Sequence, residues 1–455
     1  PPSFQAEDGI RDRRKSLVGS EMCIRDRSHL DPVLVGGFRF VDRDHSFVAN
    51  LEQCNGCGGC LKETPTMCPT FVATGDEVHS TRGRANTIRA ALEGRFGAEP
   101  LSSPELSSVL ASCLSCKACR TECPSNVDLA ALKAELVATR HAEGGVPLFD
   151  RLVESSDLLG RVGTAIPRIA NPVLGLRWVR AVMKRAIGVA ADTPLPPFTR
   201  HRFDRWFHRR AGSSPGSRGR VLLWDDTWTR YHEARVGRAA VRVLEILGFE
   251  VGLVEDRKCC GRPAASRGRL AELRRLGEHN LSLLVGRSEA IIFLEPSCFS
   301  VFVDEDRQLG LRGADEVARR CLLVEDLLLD AMDPEALSEL PWSKRELAVV
   351  VHGHCHTKAL ADSRRAVELL GRIPGAIVSE LETGCCGMAG AFGMLEVNRD
   401  LSRAVAAPLV ELIRALPAET LVAAAGTSCR HQIKALAGVD ALHPIEVIAR
   451  AMGSS

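Results

Sequence analysis

Over the last half of the chain, short apolar runs alternate with longer amphipathic stretches. Val221–Trp224, Phe249–Val254 and Ala290–Leu294 read as buried strands, with helices over Val236–Leu247 and Leu270–Leu284. The pattern then repeats, with strands Leu347–Val351, Ala376–Leu381 and Leu421–Ala424, and helices reaching Leu370 and spanning Leu395–Leu416. Cysteines recur at the same phases. The first copy has Cys259-Cys260-Gly261 and Cys298, and the second has Cys355, Cys385-Cys386-Gly387 and Cys429. Strand–helix alternation predicts parallel sheets, with the cysteines at the carboxyl ends of strands, where such folds bind ligands. Cys321, in an apolar stretch read as helix, is assigned to the core.

Upstream the period is helical. Ser80 or Thr81 is a plausible N-cap for a helix carrying Ile88, Ala91 and Leu92, and helices are expected over Pro104–Leu114 and Val127–Ala142. Between residues 161 and 220, thirteen Arg or Lys face only Asp192 and Asp204. There Trp178, Val179, Val182 and Met183 alternate with Arg177, Arg180, Lys184 and Arg185, as on an amphipathic helix. Pro194, Pro196 and Pro197 end that segment, and residues 212–217 read as a flexible linker. The stretch reads as a solvated arm packed on its neighbours, or as a surface for an anionic membrane or an acidic electron-transfer partner.

Two cysteine runs carry the chemistry. Cys113, Cys116, Cys119 and Cys123-Pro124 follow C-x2-C-x2-C-x3-C-P, in which three thiolates close on one cubane and the fourth ligates another. The run therefore needs a partner, and Cys54, Cys57, Cys60 and Cys68-Pro69 provide one, although the gap before Cys68 is longer. The expected ligand sets are Cys54, Cys57, Cys60 and Cys123 for one [4Fe–4S] cluster, and Cys113, Cys116, Cys119 and Cys68 for the second. Between the runs, Arg82 and Arg84 read either as a solvated first turn or as residues that dock a flavin domain or steer its anionic substrate.

Composition narrows the class. A hydrophobic content of 45% and a charged content of 25% are ordinary for a globular chain, and a net charge of +2 implies no nucleic-acid partner. Seventeen cysteines in ligand spacings favour metal binding in a reducing, cytoplasmic compartment over a disulfide scaffold. The chain is then cytoplasmic, or peripheral on the inner face of the membrane if the basic stretch meets lipid. Residues 1–27 begin without methionine and repeat Ile-Arg-Asp-Arg, which resembles translated adapter sequence, so they and Cys23 are set aside.

The Cys-Cys-Gly repeats resemble the cysteine-rich CCG domains of heterodisulfide reductases and of iron–sulfur subunits of glycolate, lactate and glycerol-3-phosphate dehydrogenases. From residue 50 onward the chain resembles the C-terminal half of bacterial FAD-linked oxidases of the D-lactate or 2-hydroxyacid dehydrogenase type. The residues that carry this are Met67–Pro69, His79–Asn86, the run at Cys113, Cys259–Pro263, Glu295–Cys298, His352–His356, Cys385–Gly390 and Ser428–Ile433. The resemblance implies an α/β chain: a helical ferredoxin with two [4Fe–4S] clusters over 50–150, a basic linker over 151–217, and CCG repeats over 218–335 and 336–455. Residues 28–49 would then be an approach segment from an upstream FAD domain or subunit that holds the flavin site. The acceptor would be a quinone, cytochrome or flavoprotein.

The full pattern has five cysteines per repeat. The second copy offers Cys355, Cys385, Cys386 and Cys429, with His352, His354 and His356 nearby, for a third cluster or zinc. The first offers only Cys259, Cys260 and Cys298, its leading cysteine replaced around Asp225–Thr227. No dinucleotide glycine fingerprint or P-loop is present, and Gly387–Gly393 reads as a loop facing a cluster. Three functions follow: an electron-transfer part of a flavin-linked 2-hydroxyacid (D-lactate, glycolate or 2-hydroxyglutarate) dehydrogenase, a heterodisulfide-reductase-like thiol/disulfide oxidoreductase, or a non-catalytic zinc-binding interaction protein.

Overall fold

The computed structural model describes residues 34–41, 45–62, 67–97, 100–210, 216–332, 340–343 and 346–453. The segment 1–27, with Cys23, lies outside them.

The apolar runs form two parallel sheets. In the first, strands β1 (Arg220–Trp224), β2 (Glu250–Leu253), β3 (Ala290–Phe293) and β4 (Cys321–Leu323) lie in the order β2-β1-β3-β4. In the second, β5 (Leu347–His352), β6 (Ala376–Glu380) and β7 (Leu421–Ala424) lie in the order β6-β5-β7. The two orders match, with β1, β2 and β3 corresponding to β5, β6 and β7. The fourth place is filled differently: beyond β7 a single parallel bridge joins Ala423 to Leu442. Cys321 therefore sits on a strand, not on the expected helix. The run Cys321–Leu323 is too short and too closely followed by the helix Val324–Ala331 for periodicity to separate the two. It is buried, and its thiol donates to the Val317 carbonyl at 3.3 Å.

The repeats share one core. Leu223, Val251 and Ile292 of the first sheet pack in the same cluster as Val349, Val351 and Ala423 of the second, with Val447 and Ile448 from the helix Pro444–Ala451. Polar ties cross the same boundary. Arg430 pairs with Glu233 at 2.5 Å, Thr427 N donates to Glu295 Oε2 at 2.8 Å, and His443 Nε2 lies 2.9 Å from the Leu294 carbonyl oxygen.

The N-terminal part is helical. Helices Thr81–Leu92, Pro104–Ala111 and Leu129–Gly144 enclose a core of Ile88, Leu106, Leu110, Leu132 and Leu136, with Cys60, Cys68, Cys119 and Cys123 buried among them. Ser80 caps the first, accepting from Gly83 N at 3.0 Å. Ala134 and Ala138 on the third pack into the first repeat.

Where it is described, the basic stretch forms helices Ser156–Gly163, Pro167–Gly175, Arg177–Ile187 and Phe203–Arg209, while most of the expected linker over 212–217 lies outside the described residues. It is fastened at two inner points. Val189 bridges Leu395 of the second repeat, and Phe203 is buried in the shared core. Arg180 is buried too, donating to the carbonyls of Ala191 at 3.1 Å and Ala190 at 2.9 Å.

Candidate iron–sulfur and thiol sites

Loops rather than helices hold the ferredoxin-type cysteines, and left-handed residues shape those loops. Gly56 and Gly58 in the first run, and Ser115 and Lys117 in the second, have positive φ, as does Cys68. Such turns let successive backbone N–H groups face inward toward anionic sulfur. Arg82 N donates to Cys60 Sγ at 3.3 Å, and Thr81 Oγ1 lies 2.9 Å from Cys68 Sγ. Pro124 packs against Gly59 beside Cys57, which brings the Cys123 end of the second run to the first. Cys68 feels Cys113, and Cys116 and Cys119 each feel both Cys113 and Cys68. Burial pushes the Cys68 thiol up to about 11, and burial also raises Cys116 and Cys119. A cluster that binds here must displace protons, as thiolate ligation requires. Soft sulfur donors, inward amides and an apolar surround fit [4Fe–4S] ligation.

One of the two arginines departs from expectation. Arg84 is almost wholly buried, so it is not a docking residue. Its guanidinium donates to Val109 O at 3.2 Å, Thr70 Oγ1 at 2.8 Å, Ser112 Oγ at 2.9 Å and the His79 carbonyl. It is turned inward because four acceptors converge on its planar fork. Arg82 stays nearer the surface but is committed to Glu77 at 2.7 Å and Gly56 O at 3.1 Å. Both tie down the cluster loops.

Sequence reasoning missed Lys117, which sits inside the second run. Its ammonium is buried and pairs with Asp304 and, at 2.6 Å, with Glu305, while Arg120 also pairs with Asp304. Burial opposes the Lys117 charge, the two carboxylates favour it, and the balance lies above the ordinary lysine value. Asp304 and Glu305 lie on a π-helical turn, Val301–Glu305, of the first repeat. A lysine between candidate ligand cysteines is visible in the sequence, but its partners lie far along the chain.

In the second repeat the four cysteines form a contiguous chain. The thiols neighbour one another in turn along the site, each raising or lowering the next: Cys355 with Cys385, Cys385 with Cys386, and Cys386 with Cys429. Cys355 opens the helix Cys355–Leu360 after β5, and Cys429 lies in the first turn of Thr427–Ala437 after β7. Among the described residues, no group of three or more His, Cys, Asp or Glu side chains converges on a single-ion site. A row of neighbouring sulfurs suits a multi-iron cluster or a dithiol, neither of which needs every ligand to meet at one ion.

The histidines are mostly spoken for. His354 caps the helix, accepting from His356 N at 3.1 Å, and His356 lies 3.2 Å from both Ser300 Oγ and the Ser115 carbonyl oxygen. His352 Nδ1 lies 2.9 Å from Thr383 Oγ1, while its Nε2 is buried without a partner. Burial and the nearby Lys358 pull His352 down to about 3. Together with His354, Glu325 and Asp326 it lines a small cavity. The place of the absent fifth cysteine is also explained: a side chain at Gly426 would run into the His354 ring.

Register identifies what replaces the leading cysteine of the first repeat. His354 and Asp226 are the N-caps after β5 and β1, so Thr227 stands where Cys355 does. Asp226 spends its carboxylate on Trp228 N, Thr229 N and Thr229 Oγ1. Thr227 Oγ1 donates to Asp157 at 3.0 Å. Neither replaces a thiolate. What remains is a shorter row of three buried thiols, Cys259 coupled to Cys260 and Cys298 donating to Cys260 at 2.9 Å.

The two sites differ in what they face. Cys116 is in electrostatic reach of Cys355 and Cys385, and Leu114, Cys116, Cys355, Cys385 and Phe392 share one apolar cluster. The thiols of the first repeat lie instead in a cluster with Trp224, Phe293 and Phe299.

Known protein families match these parts. Residues 50–127 match the 4Fe-4S dicluster domain, and residues 227–302 and 349–434 match the cysteine-rich domain. The chain carries a 4Fe-4S dicluster domain followed by two cysteine-rich domains. These domains indicate iron–sulfur clusters as the cofactors. D-2-hydroxyglutarate dehydrogenase of Pseudomonas putida is 27% identical, over 87% of this chain and 43% of that protein. One of the subunits of the anaerobic glycerol-3-phosphate dehydrogenase of Escherichia coli is 28% identical over 66% of this chain and 76% of the relative. The probable glycolate oxidase iron-sulfur subunit of Bacillus subtilis is 25% identical over 89% and 94%. The chain thus spans less than half of the D-2-hydroxyglutarate dehydrogenase and nearly all of the iron-sulfur subunit.

Proposed function

We propose that this chain is the iron–sulfur, electron-transfer part of a flavin-linked 2-hydroxyacid dehydrogenase of the D-lactate, glycolate or 2-hydroxyglutarate class. The observation that carries the reading is the packing of Cys116 with Cys355 and Cys385 in one apolar cluster, which sets a ferredoxin-type candidate ligand against the thiols of the second cysteine-rich domain. Cys54, Cys57, Cys60 and Cys123 would hold one [4Fe–4S] cluster, and Cys113, Cys116, Cys119 and Cys68 the other. Clusters bound there supply one-electron transfer, complementing the two-electron chemistry of a flavin. The chain's own residues bury Cys60, Cys68, Cys119 and Cys123 and fix the loops through Arg82, Arg84 and Lys117. FAD belongs to a partner domain or subunit, and a quinone, cytochrome or flavoprotein accepts the electrons.

Anaerobic reconstitution should give about eight irons, from two four-iron clusters with four thiolates each. Cys116→Ser should lower that by about half. Zinc in place of iron would sink the proposal and favour the zinc-binding alternative.

A second reading is thiol/disulfide oxidoreduction in the cysteine-rich domains, favoured by the Cys298–Cys260 contact at 2.9 Å. It requires a disulfide to appear between these residues on mild oxidation, readable by alkylation and peptide mass.

A further inference from the structure

Three consecutive helices are built inside out. On Ser156–Gly163 the inward residues are Gly160 and Gly163, while Leu158, Leu159 and Val162 face solvent. The glycines are required, because a side chain at either would collide with Tyr231 or Phe198. On Pro167–Gly175 the inward anchor is polar: Asn171 donates to the Phe198 carbonyl at 2.9 Å and accepts from Phe198 N at 2.8 Å. Ile169 and Val173 face out. On Arg177–Ile187 the buried residue is Arg180, and Trp178 and Val182, one turn apart, are 65% and 57% exposed. Ordinary surface helices bury the apolar stripe and expose the charge.

The reversal is concentrated here. Of the sixteen exposed large hydrophobics among the described residues, ten lie between 148 and 182. An apolar surface gathered on one segment marks an interaction site.

Charge selects the partner. Residues 156–187 carry six Arg or Lys against one acid, Asp157, which is turned inward to pair with Arg257. Apart from Arg180 these cations are exposed, and of them Lys184 pairs with Glu396 at 2.8 Å. The basic residues further on are used differently: Arg202 pairs with Asp204 and Arg210 with Glu245. Exposed aliphatic side chains and a tryptophan, flanked by arginines with long apolar stems, are what an amphipathic helix needs to lie in an anionic lipid interface. No helix among the described residues is long and apolar enough to cross a membrane.

We infer that helices Ser156–Gly163, Pro167–Gly175 and Arg177–Ile187 form a peripheral membrane-docking face for anionic lipid. The apolar side chains enter the headgroup–acyl boundary, and Arg161, Arg168 and Arg177 meet lipid phosphates. This stands apart from the iron–sulfur reading.

The test is sedimentation of the full chain with vesicles. It should pellet with equimolar phosphatidylglycerol and phosphatidylcholine at low salt, be released as salt rises, and stay in the supernatant with phosphatidylcholine alone. Each cation near such a surface contributes on the order of fivefold in partitioning. Arg168→Gln with Arg177→Gln should therefore weaken binding by roughly tenfold or more. Ile169→Ser with Trp178→Ser should abolish it, and because both side chains are exposed the fold should survive, as circular dichroism would report. Failure to pellet with anionic vesicles, or equal binding by the serine variant, overturns the inference. So does a lipid-free dimer in sedimentation velocity that the serine variant dissolves, since a second copy would then cover the face.

Discussion

His356 Nε2 lies 3.2 Å from the carbonyl oxygen of Ser115, across 241 residues of sequence. His356 follows Cys355 and Ser115 precedes Cys116, so this contact sets two cysteines from different domains side by side. The Nδ1 side of the ring lies 3.2 Å from Ser300 Oγ of the first cysteine-rich domain. One imidazole therefore meets all three domains. Burial holds it well below the ordinary histidine value, with the Arg262 charge adding to the effect. It is neutral, with one nitrogen donating and the other accepting.

His356→Ala should remove both bonds and strand the Ser115 carbonyl. The expected loss is roughly 1–3 kcal/mol of stability. Thermal unfolding of the anaerobic protein measures it, and iron should leave the variant faster than the parent. An unchanged midpoint and unchanged iron release would mean that the three-domain junction does not depend on this ring.

Arg84→Leu should be more damaging than its size suggests, because it removes the donor shared by Thr70 Oγ1, Ser112 Oγ and the Val109 and His79 carbonyls, and leaves only the two hydroxyls to serve those carbonyls. A cost of about 2–3 kcal/mol is expected. Arg84→Lys should recover little, since an ammonium cannot reproduce the planar fork. Because Arg84 also lowers the Cys68 thiol, counteracting burial, iron content should fall toward one cluster. Full iron retention in the leucine variant would show that loop geometry survives without the tie.

Much of this was legible in the sequence, and the gaps have physical causes. The strand–helix alternation and repeated Cys-Cys-Gly identified the paired parallel sheets, because buried parallel strands write themselves as apolar runs. Cys321 was placed in the core correctly but on the wrong element. Arg84 was read as a surface residue because a helix's first turn is usually solvated; only the fold brings Val109 and Ser112 to it. The Lys117–Asp304 pair and the His356–Ser115 contact are long-range and leave no local signal. Thr227 became identifiable as the counterpart of Cys355 only once β1 and β5 were in register. The basic stretch was recognised, but its inverted helices depend on which face packs, and that requires Phe198 and Tyr231 in place.

The asymmetry between the cysteine-rich domains gives a paired experiment. Cys385→Ser with Cys386→Ser should remove any metal or redox equivalents beyond the two proposed four-iron clusters and leave about eight irons. Cys259→Ser with Cys260→Ser should leave those equivalents in place, since the first domain lacks a fourth thiol and faces no ferredoxin ligand. Reductive titration with iron analysis distinguishes the variants. Loss in the second pair but not the first would reverse the assignment.

Glu325 provides a pH test of the cavity beside His352. Its carboxyl is buried, Oε1 has no hydrogen-bond partner, and burial, helped by the neighbouring Asp326 charge, raises it to about 7. A carboxyl whose folded value lies above its unfolded value favours folding in its protonated form. That contribution is complete below the unfolded value, declines as pH rises between the two values, and is absent above about 7. Ionising the group therefore weighs against the fold by on the order of 2–3 kcal/mol at alkaline pH. Glu325→Gln keeps the shape without the charge. Relative to the parent, this variant should gain thermal stability steadily from about pH 5 to about pH 7 and hold that gain above it. Parallel midpoints for the two proteins across that range would show that Glu325 ionises without cost, and that water already reaches the cavity.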